Sequence, residues 1–249
     1  MIGKKGLVSV TFRGLTPQEI IQLASKNGLS AIEWGGDVHV PPSDLGNADD
    51  VKKVTRQSGL DCVSYGSYYR LCWEGNAVPM EQEVACAKAL GVENLRVWAG
   101  SCGSGECPPK LFSACVQEAL QLADLCQQQG MTLSFEYHQG TLTDTADSAL
   151  ALMKALDHPS ARLYWQPNQF YERDWNLAAL EKVLPYVSNV HVFSWSKQER
   201  PLRQRLSDWR DYLALLQQDT QTHHLLLEFI KNDAVPQFEA DCKIFLQEF

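Results

Sequence analysis

The stretch Leu125-Cys126-Gln127-Gln128-Gln129-Gly130-Met131-Thr132-Leu133-Ser134-Phe135-Glu136 joins two kinds of structure across one glycine. Leu125 and Cys126 stand where an apolar helix position is expected. Gly130 supplies the left-handed residue on which helices commonly stop. Thr132 to Glu136 then reads as a short strand. The same punctuation occurs at Asn27-Gly28, Ser58-Gly59 and Leu90-Gly91, each a few residues before another β-rich run. Helix entry is equally legible at Thr16-Pro17-Gln18-Glu19, with a capping threonine, proline at the first helical position and a glutamate at the third.

Working outward, eight strands are expected, at 7–12, 30–34, 61–65, 94–98, 132–136, 162–166, 189–193 and 224–229, each followed by helical sequence. Strands separated by helices pair in parallel through right-handed crossovers. Eight units without a break favour a closed (β/α)8 TIM barrel, class α/β, over an open doubly wound sheet. The turn after the first strand, Arg13-Gly14-Leu15-Thr16, lacks the glycine fingerprint of a dinucleotide-binding sheet. At 249 residues, 45% of them hydrophobic and 21% charged, residues 1–249 suit one domain with a large core.

A formal charge of −8 argues against a nucleic-acid partner, which needs a concentrated cationic surface. The N-terminal apolar run is too short for a signal peptide, and no segment reaches the ~20 apolar residues of a membrane span. Eight cysteines form no CxxC pair, which suits reduced thiols packed in a cytoplasmic protein. A small-molecule substrate is the expected partner, and the composition leaves room for a homo-oligomer.

In a barrel of this kind chemistry sits at the carboxyl ends of the strands. Strand five ends in Ser134-Phe135-Glu136-Tyr137-His138, strand six in Tyr164-Trp165-Gln166, strand seven in Val190-His191-Val192-Phe193 and strand eight in Leu227-Glu228-Phe229. Strand alternation sends Ser134, Glu136 and His138 to one face, and Asn189, His191 and Phe193 likewise. A lone strand-end glutamate or histidine is usually a solvated or core residue. Four metal-capable side chains at equivalent positions of successive strands make a metal site the better reading. Carboxylate, imidazole and amide donors together suit Mg, Mn, Co or Zn. His138 is a rival ligand or a partner that orients one.

Aromatic residues at the strand ends, Trp34, Trp98 and Trp195 with Tyr65, are candidates to stack on sugar faces, and Trp34 before Gly35-Gly36 is the strongest of them for the mouth. Trp165, Tyr68 and Tyr69 lie at comparable places. His39, Glu33, Arg96 and His138 are polar candidates at the same rim, with a Glu33–Arg96 ion pair inside the barrel as the plain alternative. Lys197, Arg200, Arg203 and Arg205 follow strand seven, where a solvated helix face is expected before an anion grip. Gly100-Ser101-Cys102-Gly103-Ser104-Gly105 lacks the GK[ST] of a phosphate loop, and no Gly-x-Ser-x-Gly elbow occurs.

The order of strand-end ligands resembles the xylose isomerase-like barrels, which include ketose 3-epimerases, hydroxypyruvate isomerases and inosose dehydratases. The stretches Ile32-Glu33-Trp34-Gly35-Gly36-Asp37-Val38-His39-Val40-Pro41 and Glu136-Tyr137-His138-Gln139-Gly140-Thr141-Leu142-Thr143-Asp144-Thr145 are similar to a sugar phosphate isomerase/epimerase-like subgroup. Many epimerase members carry Glu, Asp, His and Glu at the four positions; Gln166 stands where the aspartate is expected. The resemblance implies one divalent ion held by Glu136, Gln166, His191 and Glu228, with Glu136 and Glu228 as an acid/base pair. The expected activity is metal-dependent sugar isomerisation or epimerisation. A dehydratase-type lyase, or a sugar-binding barrel with a weakened metal site, are the alternatives, and a DNA-repair barrel would need more histidine and acidic ligands than this chain can place.

Overall fold

The computed structural model describes residues 1–196 and 198–249. Eight parallel strands close a barrel: β1 (Ile2–Val8), β2 (Ala31–Gly35), β3 (Asp61–Arg70), β4 (Asn94–Trp98), β5 (Thr132–Glu136), β6 (Ala161–Trp165), β7 (Val187–Val192) and β8 (His223–Leu227). The ring is completed where β1 pairs with β8, Gly6 opposite Leu226. Eight helices cover it: α1 (Pro17–Lys26), α2 (Leu45–Gln57), α3 (Met80–Leu90), α4 (Pro109–Gln128), α5 (Ala146–Leu156), α6 (Arg173–Val183), α7 (Leu206–Leu216) and α8 (Val235–Glu248). After β7 a small antiparallel pair sets Trp195–Ser196 against Gln198–Glu199.

Local signals carry through to structure. Thr16 and Glu19 form a reciprocal capping box at the start of α1. Gly28, Gly59, Gly91 and Gly130 all adopt φ between 73° and 77°, the left-handed exits expected of them. β4 and β5 match the expected bounds. β1 does not: it runs Ile2–Val8, and Ser9–Phe12, read as strand, turns into a 3-10 helix. Ser9 explains the change, because its Oγ accepts the Gly35 N–H at 2.9 Å and lies 3.0 Å from His39 Nδ1, tying the chain to the loop after β2. β3 is longer than expected and ends at Arg70.

Strand alternation divides the core in two. Leu7, Ile32, Trp34, Leu133, Phe135, Leu163, Trp165, Val190, Val192, Leu225 and Leu227 join the large apolar layer beneath the helices. A small cluster, Val8, Val10, Ala31, Val63, Tyr164 and Leu226, fills part of the interior. The rest of the interior is polar, with Asn94 Nδ2 donating to Thr132 Oγ1 at 2.8 Å and to Ser134 Oγ at 2.6 Å. Buried polar groups persist when they satisfy one another, and here they form a tier toward the amino-terminal ends of the strands.

Candidate active site

Six strands place a polar residue inward at or just past their carboxyl ends: Glu33 on β2, Arg96 on β4, Glu136 on β5, Gln166 just after β6, His191 on β7 and Glu228 just after β8, while β1 ends on the apolar Val8. All are buried. Arg96 is the hub, its Nε donating to Glu33 Oε1 at 3.0 Å and its guanidinium also pairing with Glu136 Oε2. Trp98 Nε1 donates to the same Glu136 oxygen. His191 Nε2 faces Glu33 Oε1 at 3.3 Å. Its Nδ1 faces the other three groups: Gln166 Oε1 at 3.2 Å, Glu228 Oε2 at 3.4 Å and Glu136 Oε1 at 3.9 Å.

Two ligands each about 2.1 Å from an ion stand about 3.0 Å apart at right angles and about 3.4 Å apart at the tetrahedral angle. The Gln166 and Glu228 spacings to His191 fall in that range, and Glu136 Oε1 lies about half an ångström outside it. Among the described residues no trio of His, Cys, Asp and Glu is already drawn together as a metal cage. The fourth donor here is an amide, and Glu136 leans toward Arg96 and Trp98. Glu228 Oε2 is buried with no hydrogen-bond partner, as is Glu33 Oε2. An unpartnered buried carboxylate oxygen beside an imidazole nitrogen and an amide oxygen is an arrangement that a divalent cation satisfies. These four donors fit such an ion.

The electrostatics separate the carboxylates. Burial pushes Glu33 up, but Arg96 and His191 outweigh it and hold the group down at about 2. Glu136 is likewise pushed up by burial and drawn below its ordinary range by Arg96 and His191. Glu228 makes no ion pair with an arginine among the described residues: burial drives it up to about 7, with His191 and the more distant Arg96 opposing and Glu136 adding to the rise. His191 is lowered by burial but raised overall by Glu228 and Glu33.

Glu228 is aimed by a strained joint. Phe229 takes a left-handed φ of 52°, unfavourable for an aromatic residue. Phe193 and Trp195 grip its ring edge-on, with centroids 5.7 and 5.0 Å away. Trp195, read as a sugar platform, thus packs on Phe229, the residue after Glu228, while staying partly exposed.

The other expected contacts divide cleanly. Trp98 lies at the mouth, stacked on His138 at 5.0 Å with an interplanar angle of 19°. Trp34 does not reach the mouth: it neighbours Glu33, so alternation turns it outward, and it is wholly buried in the helix-facing layer. Tyr65 occupies that layer too, its hydroxyl donating to Val40 O at 2.9 Å. His39 is buried and engaged at both nitrogens, with Ser9 Oγ and Leu15 O each 3.0 Å away, so it holds loops together. These three are corrections to the substrate-contact reading. The Glu33–Arg96 ion pair is present, and it extends to Glu136. Arg205 is spent on Asp208, and Lys197 lies outside the described residues.

Arg70 was missed. It ends β3 with its guanidinium carbon 3.7 Å from the Trp98 ring centroid. The signal was the tyrosine-rich run Tyr65-Gly66-Ser67-Tyr68-Tyr69, whose β character carries the strand five residues further than its first apolar segment. Beside the mouth a cavity of about 440 Å³ is lined by Asp37, Tyr68, Trp73 and Glu83 among others. A roomier one of about 620 Å³ lies at the opposite, amino-terminal end of the strands, lined by Asn94, Thr132 and Asn189, where barrels do not place their chemistry.

Comparison with known proteins agrees with this architecture. A 3-dehydroshikimate dehydratase of Bacillus anthracis is 23% identical over 201 residues, spanning 76% of this chain and 70% of that protein. The crystal structure of the probable 3-DHS dehydratase from the same organism superposes with a TM-score of 0.81 at 19% identity, covering 99% of this chain and all of the other. A D-psicose 3-epimerase crystallised in the presence of D-fructose gives 0.71 at 14% identity, covering 98% of this chain and 97% of that one. A xylose isomerase-like barrel protein of Mycobacterium smegmatis in complex with magnesium gives 0.71 at 17%, covering 98% and 95%. The family model for the xylose isomerase-like TIM barrel matches residues 21–248, and the chain belongs to that family.

Proposed function

We propose that the protein is a metal-assisted isomerase or epimerase of a sugar or sugar derivative, acting by proton abstraction beside a carbonyl. The observation that carries this reading is the convergence of Gln166 Oε1, Glu228 Oε2 and Glu136 Oε1 on His191 Nδ1, at 3.2, 3.4 and 3.9 Å. Enolisation needs a base, an acid and a means of stabilising the enediolate. Glu136 and Glu228 exchange the roles of base and acid with the direction of reaction. Arg96 and Trp98 fix the Glu136 carboxylate through Oε2 and leave Oε1 facing the centre. Glu33 orients His191 through Nε2, which presents Nδ1 to the other donors. A divalent ion bound by Glu136, Gln166, His191 and Glu228 would polarise the substrate carbonyl and offset the negative charge of the enediolate.

A second reading, a dehydratase that expels hydroxide from the same enolate, is favoured by the 23% identity to the 3-dehydroshikimate dehydratase. Both reactions begin with the same proton removal. Purified protein supplied with Mg, Mn or Co is incubated in deuterated buffer with ketoses, inososes, uronates and 3-dehydroshikimate. Proton NMR reads exchange of carbon-bound hydrogen, and ultraviolet absorbance reads the aromatic product that dehydration of 3-dehydroshikimate would form. Glu136→Gln is expected to lower exchange at least a hundredfold. Wild-type exchange rates in both Glu136→Gln and Glu228→Gln would remove the acid/base assignment.

A further inference from the structure

Three arginines surround the mouth, and two of them are spent on the protein itself. Arg96 bridges Glu33 and Glu136. Arg13 pairs with Asp37 and with the Tyr68 hydroxyl. Arg70 differs: among the described residues no carboxylate lies within salt-bridge distance of its guanidinium and no protein acceptor takes its N–H groups. Indoles hold it instead, with Trp98 centred 3.7 Å and Trp73 5.5 Å from its guanidinium carbon. Its backbone is fixed by Asn76, which accepts from Arg70 N at 2.9 Å and donates to Arg70 O at 2.8 Å. Stacking of this kind orients the guanidinium while leaving its donor edge free. The Trp98 indole that supports Arg70 also donates to Glu136, so the free guanidinium stands one indole's width from the reacting carboxylate.

We propose that Arg70 binds an anionic oxygen group, carboxylate or phosphate, carried by the substrate, and so selects acidic polyhydroxylated carbonyl compounds over neutral ketoses. This deepens the enolisation reading and rests on it. In a chain of net charge −8, a positioned and unspent cation at the mouth is the feature that would draw an anion in and orient it. Arginine offers paired donors to both kinds of anion, so the chemistry leaves carboxylate and phosphate to be separated by experiment.

The test compares wild type with Arg70→Met and Arg70→Lys on a uronate, 3-dehydroshikimate, a ketose phosphate, D-fructose and D-tagatose. Turnover is read by deuterium exchange. Binding is read independently through tryptophan fluorescence, which Trp73 and Trp98 make responsive to a ligand on Arg70. For one anionic class, Arg70→Met is expected to lower kcat/KM at least a hundredfold, chiefly through KM, and to weaken binding by a similar factor. The loss on neutral ketoses should be at least tenfold smaller, and Arg70→Lys should recover part of the affinity. The uronate and 3-dehydroshikimate arms against the phosphate arm identify the anion. Equal losses on neutral and anionic compounds, or anion binding unchanged in Arg70→Met, overturn the proposal while leaving enolisation intact. Absence of exchange with every compound, together with Arg70-dependent anion binding, would overturn the enolisation reading and keep the anion site.

Discussion

Replacing Arg96 with methionine tests the arrangement at its hub. The guanidinium is 4% exposed, and its two partners, Glu33 and Glu136, are 0% and 6% exposed. Methionine keeps an unbranched stem in the same space but leaves Glu33 with only His191 and Glu136 with only Trp98. Removing one partner from a buried ion pair costs about 3–5 kcal/mol, because a charge stays behind without compensation. At about 2–4 °C per kcal/mol for a chain of this size, the melting temperature should fall by about 6–20 °C.

The pH dependence has a definite sign. Arg96 holds Glu33 down at about 2 and Glu136 below its ordinary value, so the wild type gains stability that is present above about pH 4.5 and lost as pH falls toward 2. In Arg96→Met both carboxyls rise above their unfolded values, and the variant loses stability as pH rises. Both effects make the gap widest at neutral pH and narrower near pH 4. Urea titrations with chelator present, followed by tryptophan fluorescence at pH 7.5 and pH 4.5, measure it. Arg96→Lys, able to serve one carboxylate at a time, should fall between the two. A cost below about 1 kcal/mol at pH 7.5, or a gap that widens in acid, would refute the hub.

Glu83 offers a separate test. Its carboxyl is pushed up to about 7 by burial, with Tyr65 opposing, and its Oε2 has no partner. Because its folded value lies above the unfolded one, stability is lost as pH rises through that interval, so Glu83→Gln should stabilise the fold by up to about 3 kcal/mol at pH 8.5 and leave it unchanged at pH 4. Equal unfolding midpoints at pH 8.5 would contradict it. Gln166→Asp places a carboxylate beside His191 Nδ1 and should tighten Mn or Co binding at least tenfold in calorimetric titration; unchanged or weaker binding would remove residue 166 from the donor set.

The features legible in the sequence are those set by neighbours in the chain. Gly130 and its three counterparts mark helix exits because the left-handed conformation favours glycine, whatever the rest of the fold does. Strand ends could be counted for the same reason, which put Glu136, Gln166, His191 and Glu228 at one level. Facing is harder, since adjacent residues point opposite ways. Glu33 and Trp34 both stand at the end of β2, and only parity with Ala31, which lies inside, assigns the glutamate to the site and the tryptophan to the helices. Features that depend on register between strands were out of reach. The Glu33–Arg96 pair is among the expectations from sequence, but its extension to Glu136 depends on how β4 is offset against β5, and Arg70 comes opposite Trp98 only because β3 runs on past a register shift.

The charge inventory gives Gln166 a rationale. Glu33 and Arg96 cancel as a pair, and Asp37 cancels Arg13 at the rim. Binding of a divalent ion would require His191 neutral and Glu228 ionised; Glu136 and Glu228 would then place −2 at the point His191 Nδ1 faces, which a single such ion would bring to zero. An aspartate at position 166 would carry the sum to −1 with the ion in place, against any anion entering over Arg70. An amide there supplies an oxygen donor without the added charge. On the proposed reading, the departure from the Glu, Asp, His, Glu pattern and the unspent arginine would be two sides of one balance: a mouth that a divalent ion would bring to neutrality, with one positive charge beside Trp98 for a substrate that would bring its own negative charge.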